Sequence, residues 1–84
     1  MTPASPALVT VRYWASARAA AGVDTDLLPP GTVRDVLAVA ADRRPGLAPI
    51  LAVCSVLVDG RPAPAAEDVP AGTTLEVLPP FAGG

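Results

Sequence analysis

Eleven prolines in 84 residues decide most of what this chain can become. Proline lacks an amide hydrogen and holds φ near one value, so it stops helices and stays out of interior strands. Pro29-Pro30, Pro45, Pro49, Pro62, Pro64, Pro70 and Pro79-Pro80 therefore cut the chain into short elements. The clearest helix lies between Pro30 and Pro45. Thr32 can cap the free amides of a first turn, and Asp35 holds the reciprocal capping-box position. Val33, Val36, Leu37 and Ala40 follow the spacing i, i+3, i+4, i+7 and give one apolar stripe. Arg43 and Arg44 suit the negative end of that helix, and Pro45-Gly46 stops it.

The other pieces read mainly as strands. In Leu8 to Trp14, residues Val9, Val11 and Tyr13 alternate onto one face, with Thr10 and Arg12 opposite. Residues 15–21 are alanine-rich helix formers, and Gly22 is a natural C-cap. Asp24 to Leu28 is a shorter strand. Residues 46–53 form a loop with one helical turn, because Pro49 interrupts them. Ser55 to Val58 is a β-branched strand, Asp59-Gly60 is a hairpin signal, and the proline-rich return at 61–64 can only be a sheet edge. Residues 65–69 are a connection and Pro70-Ala71-Gly72 a turn. Thr73 to Leu78 is the last strand, with Leu75 and Val77 facing the core. The expected fold is α+β in two layers: a mixed sheet of four to five strands packed on one main helix, with the last strand lying centrally. Residues 1–7 are expected as a loose leader, 8–80 as one domain and 81–84 as a flexible tail.

Composition removes several function classes. The net charge is −2, and the six arginines are scattered with no basic stripe, which argues against nucleic acid. No apolar run approaches the ~20 residues of a membrane helix, and residues 1–6 do not read as a secretory signal. A single Cys54 cannot form an internal disulfide, which suits the cytoplasm. The chain has no His and no Lys, so the commonest general base and Schiff-base chemistry are both missing. A domain of this size also has no room for a deep cleft of its own.

The chemistry then falls to Phe81-Ala82-Gly83-Gly84. Glycine has no Cβ, so such an end can thread a channel that side chains would block. One chemistry uses this arrangement: the terminal carboxylate is activated, then loaded with sulfur or joined to an amine. Pro79-Pro80 is expected to project the tail stiffly away from the domain, with Phe81 as an apolar collar. Other candidates weigh less. Cys54 reads as a small core residue before it reads as a sulfur relay. Trp14, on the outward parity, suits a partner-interface anchor or a cover for the end of the core. Arg18 suits a solvated helix face, and Asp24 with Asp26 lacks the further ligands of a metal site.

Three segments carry a family resemblance. Tyr13 to Gly22, Thr32 to Leu37 and, most specifically, Leu78-Pro79-Pro80-Phe81-Ala82-Gly83-Gly84 resemble the ubiquitin-like β-grasp sulfur carriers, above all the molybdopterin synthase small subunit. Val58-Asp59-Gly60 is similar to that family's Val-Asn-Gly hairpin, with Asp59 in place of Asn, and Ala19 stands where the family often has Glu. The resemblance implies a ubiquitin-like β-grasp fold and a carrier that is not itself an enzyme. Gly84 would be adenylated by a partner E1-like enzyme using ATP, and a persulfide donor would turn it into a thiocarboxylate. Gly83 and Ala82 would thread the partner's channel, while Phe81, Pro80, Pro79 and Trp14 would touch the partner. The sulfur would go to a pterin precursor on the molybdopterin synthase large subunit. Carriage for thiamin or another metabolite, a ubiquitin-like protein modifier and an inert-tailed interaction module are the alternatives.

Overall fold

Alternating apolar residues on the first and last strands meet in the middle of one sheet. In a computed structural model, which describes residues 7–80, the elements are β1 (Val9–Tyr13), α1 (Ala15–Ala21), β2 (Thr25–Leu28), β3 (Gly31–Thr32), α2 (Val33–Arg43), a 3₁₀ turn (Pro45–Leu47), α3 (Ala48–Leu51), β4 (Ser55–Val58), β5 (Arg61–Pro62), β6 (Asp68–Val69) and β7 (Thr74–Leu78). The main sheet runs β2-β1-β7-β4-β5. β1 and β7 are parallel, with Thr10 opposite Thr74 and Tyr13 opposite Val77; the other pairs are antiparallel. This is the ubiquitin-like β-grasp arrangement, a mixed sheet with α2 packed across one face. The leader expected at 1–7, apart from Ala7, and the tail at 81–84 lie outside the described residues.

The core forms where the two layers touch. Val9, Val11, Leu75 and Val77 from the central strands meet Val36 and Ala40 of α2, and all six are fully buried. Burying each such Val or Leu is worth about 1.5–3 kcal/mol, so the central pair β1–β7 holds much of the fold's stability. The α2 capping box is complete: the Asp35 amide donates to Thr32 Oγ1, and the Thr32 amide donates to Asp35 Oδ2. Gly22 caps α1 in the left-handed region at φ 81°. At the β4–β5 hairpin Asp59 and Gly60 both have positive φ, 48° and 84°, the conformation a tight primed turn demands.

Several expectations needed correction. Residues 65–69 are more than a connection: β6 pairs with β3 in a second, two-stranded sheet. The physical reason is the N-terminus of α2. The Val33 amide donates to the Glu67 carbonyl at 2.9 Å and the Arg34 amide to the Ala65 carbonyl at 2.9 Å, so the segment satisfies first-turn donors that otherwise lack partners. Val69, buried at the same place, fixes the register. The helical turn expected within 46–53 is α3, with Pro49 in its first turn, where its missing amide costs nothing, and a 3₁₀ turn at Pro45–Leu47 precedes it. Leu47 in that turn is fully buried, a core residue the loop reading missed. Cys54 precedes β4 and is only half-buried. Leu8, Trp14, Asp24 and Thr73 lie just outside the strands to which they were assigned.

Candidate functional site

The candidate site is the end of the sheet where β7 leaves the domain. β7 is the central strand, so its last residues are held on both sides. The Trp14 amide donates to the Val77 carbonyl at 3.1 Å on the β1 side, and Leu78 lies opposite Ser55 on the β4 side. Pro79, next in line on the core-facing parity, is buried, and Pro80 is exposed and lies in a turn. The base of the tail is therefore anchored in the core at Pro79 and meets solvent at Pro80. Of the residues expected to contact a partner, Pro80 and Trp14 are accessible and Pro79 is packed inside the domain. Ala82, Gly83, Gly84 and Phe81 lie beyond the described residues.

Trp14 is the large side chain beside that exit, 37% exposed. Its indole Nε1 donates to Glu76 Oε1 at 3.1 Å, and the Arg12 guanidinium stands 4.6 Å from the ring centroid. Parallel pairing puts Arg12 opposite Glu76, so anion, cation and aromatic ring share one outward patch. The next residue, Ala15, is held at φ 47°, a conformation that disfavours non-glycine residues. This sharp corner turns the chain from β1 into α1 and leaves the indole on the outer face. The structure thus brings Trp14 next to the tail base, as a partner anchor would require. The roles of Glu76 and Arg12 were missed, because they depend on β1–β7 register and no local signal reports it.

Cys54 sits on the other side of the exit, immediately before the Ser55–Leu78 pair. Burial pushes its thiol pKa up, so less thiolate forms at neutral pH and its nucleophilicity falls. That disfavours a sulfur relay. Among the described residues no three His, Cys, Asp or Glu side chains form a metal-holding group.

Asp24 and Asp26 part company. Asp24 is exposed and pairs loosely with Arg18 at 3.6 Å, the solvated arrangement expected for Arg18. Asp26 is buried on the core side of β2, 8% exposed. The Tyr13 hydroxyl donates to its Oδ2 at 2.8 Å, and Arg44 grips it with Nε at 3.1 Å and Nη2 at 2.7 Å. Arg44 hydrogen bonding, against the cost of burial, holds the Asp26 carboxyl below its usual range. Burial first, then the bond to Asp26, pushes the Tyr13 phenol up. The cluster bolts β1 and β2 to the C-terminal end of α2 and keeps the exit end of the sheet in place. Tyr13 on the inward parity signalled that its hydroxyl required a partner; the identity of Arg44 depended on the fold.

Comparison with known proteins agrees with this geometry. A family model described as the ThiS family matches residues 11–84. A sequence comparison with curated proteins gives no match. Among solved structures, the chain is similar to small archaeal modifier protein 1 (SAMP1) from Haloferax volcanii, with TM-score 0.82, 25% identity and coverage of 92% of this chain and 99% of that one. It is similar to a Pyrococcus furiosus protein assigned as molybdopterin converting factor, subunit 1, with TM-score 0.78, 29% identity and coverage of 88% and 98%. It also shares its fold with a chain from a complex of subunits 1 and 2 of molybdopterin-converting factor from Helicobacter pylori 26695, with TM-score 0.69, 19% identity and coverage of 92% and 99%. A β-grasp sheet whose central last strand feeds a Gly-Gly tail, matched by the family model through that tail, makes this chain a member of the ThiS family of ubiquitin-like sulfur carriers.

Proposed function

We propose that this protein is a cytoplasmic sulfur carrier for molybdopterin synthesis, acting as the small subunit of molybdopterin synthase through a thiocarboxylate on Gly84. The observation that carries the reading is the union of Leu78-Pro79-Pro80-Phe81-Ala82-Gly83-Gly84 with a central strand anchored on both sides. A carboxylate is a poor electrophile, so an E1-like partner first joins it to AMP from ATP and releases pyrophosphate. A persulfide displaces AMP and forms an acyl disulfide. A thiol then cuts the sulfur–sulfur bond, becomes part of a disulfide itself, and leaves the thiocarboxylate on Gly84. Tethering confines the reactive sulfur to the partner's site, where effective concentration replaces free sulfide.

In this reading Gly83 and Ala82 pass through the partner's channel, and Trp14 with Pro80 and Phe81 meets the channel's rim. The likeness to a molybdopterin converting factor subunit 1 supports the pathway, and the Helicobacter neighbour supplies a precedent for a subunit 2 partner. The likeness to small archaeal modifier proteins favours a second reading, in which Gly84 is joined to an amine of a target protein.

The test is co-expression with a cognate adenylating enzyme and sulfur donor, followed by intact mass measurement. A carrier gains the mass of one oxygen-to-sulfur exchange and loses that gain when Gly84 is deleted. An unchanged mass under turnover conditions overturns the carrier reading, and high-mass conjugates on denaturing gels support the modifier reading instead. Release of the sulfur only to a molybdopterin synthase large subunit fixes the pathway; transfer only to a thiamin-pathway acceptor refutes it.

A further inference from the structure

A groove of about 720 Å³ runs between α2 and the β4–β5 hairpin. Its walls are mainly apolar, with Val33 and Leu37 from α2, Leu51 and Cys54 at the end before β4, and Pro62 and Ala63 from the hairpin return. Val53, one of the few large exposed hydrophobic residues, is 59% exposed and adjoins the Leu51–Cys54 end. The Cys54 amide donates to the Leu51 carbonyl at 3.2 Å, so these two residues define one mouth.

The chain leaves the domain at that mouth. Leu78 is paired with Ser55, itself a groove residue, and paired Cα atoms in an antiparallel ladder lie about 4.5–5.5 Å apart. From Leu78 to Phe81 is three residues, a reach of up to roughly 10 Å. Pro80 lies in a turn and is exposed at the edge of the domain. Phe81 is the one large apolar side chain in the segment that follows, and the groove offers no charged wall to repel it.

We propose that the groove is the resting place of the chain's own C-terminal segment, with Phe81 seated against Leu51, Cys54 and Leu37 when no partner holds the tail. Docking removes the collar residue from solvent and keeps the Gly83-Gly84 tip beside the domain. An activating partner must then displace the segment before Gly84 becomes available. The biological meaning rests on the proposed role of the tail; the docking itself does not depend on sulfur chemistry.

Cys54 is the built-in reporter, because it lines the groove at the mouth. Alkylation by N-ethylmaleimide is timed for the full chain, for the chain ended after Pro80 and for Phe81→Ser, with thermal unfolding as a check that each variant folds. A docked-to-free ratio of roughly four to one gives about fivefold slower labelling in the full chain than in either variant, independent of protein concentration. Rates within twofold of one another overturn the proposal. So does protection that disappears on dilution, which assigns the groove to a second copy. Thiocarboxylate formation is measured separately by mass, so failure of the docking proposal leaves the carrier reading intact, and failure of the carrier reading leaves the labelling result intact.

Discussion

Asp26→Ala is the sharpest stability test of the architecture. The substitution strands the hydroxyl of Tyr13, a residue only 3% exposed, and leaving such a donor unpaired costs about 1–3 kcal/mol. It also removes the two-pronged grip of Arg44. Breaking a fully buried ion pair by deleting one partner costs about 3–5 kcal/mol, but the Arg44 side chain keeps 32% exposure and can rehydrate, so this share falls to about 1–2 kcal/mol. The expected total is about 3 kcal/mol. A chain of 84 residues has roughly 4–12 kcal/mol of stability, so the variant stands close to the edge of folding. The midpoint of thermal unfolding should fall by about 12–24 °C, measured by circular dichroism with urea unfolding alongside. Asp26→Asn keeps the shape and an acceptor and should lose about half as much. Replacing Tyr13 with Phe in the Asp26→Ala background should restore about 1 kcal/mol by removing the stranded hydroxyl. A loss below about 1 kcal/mol for Asp26→Ala, the range of an ordinary surface change, refutes the bolt.

The same cluster sets the pH range. The folded Asp26 pKa lies below its unfolded value, so its contribution is present above about pH 4 and is lost as pH falls through the folded value. The folded Tyr13 pKa lies above its unfolded value, so that contribution is present below about pH 10 and is lost as pH rises further. Unfolding temperatures should hold a plateau between these limits, with the acid fall reduced in Asp26→Ala and the alkaline fall reduced in Tyr13→Phe. Gly46→Ala should cost about 1–3 kcal/mol in urea titration, because the added Cβ meets the Ala20 carbonyl oxygen at 2.8 Å and backbone must move. Trp14→Ala should leave the fold intact while weakening the proposed complex with an adenylating enzyme by about tenfold or more in calorimetry; unchanged affinity removes Trp14 from that proposed interface.

What the sequence reveals here divides by range. Thr32 with Asp35, Gly22 and Asp59-Gly60 report local geometry, because the residue that makes each cap or turn is also the one that needs it. The alternation of Val9, Val11 and Tyr13, and of Leu75 and Val77, reports which faces are buried. Long-range partners carry no such mark. The β3–β6 ribbon joins two pairs of residues far apart in the chain and exists to complete the start of α2. Arg44 looked like a helix-end cation and instead reaches Asp26. Pro79 looked like part of a rigid exit and is packed in the domain. At the tail, composition marked Gly83-Gly84 plainly, while the neighbours of its base became visible only through the pairing of β7 with β1 and β4.

That pairing also bears on how the protein is made. The central strand is the last one to be synthesised, and its ladder with β1 joins residues as distant as Thr10 and Thr74. A nascent chain cannot close its sheet until residues 74–78 have left the ribosome, and contacts this far apart slow folding. A chain terminated before Leu75 lacks the middle of its core and is left for proteases. Any molecule that has folded has therefore been translated through the segment from which its tail begins. The topology acts as proofreading: few folded chains lack the strand from which the tail begins.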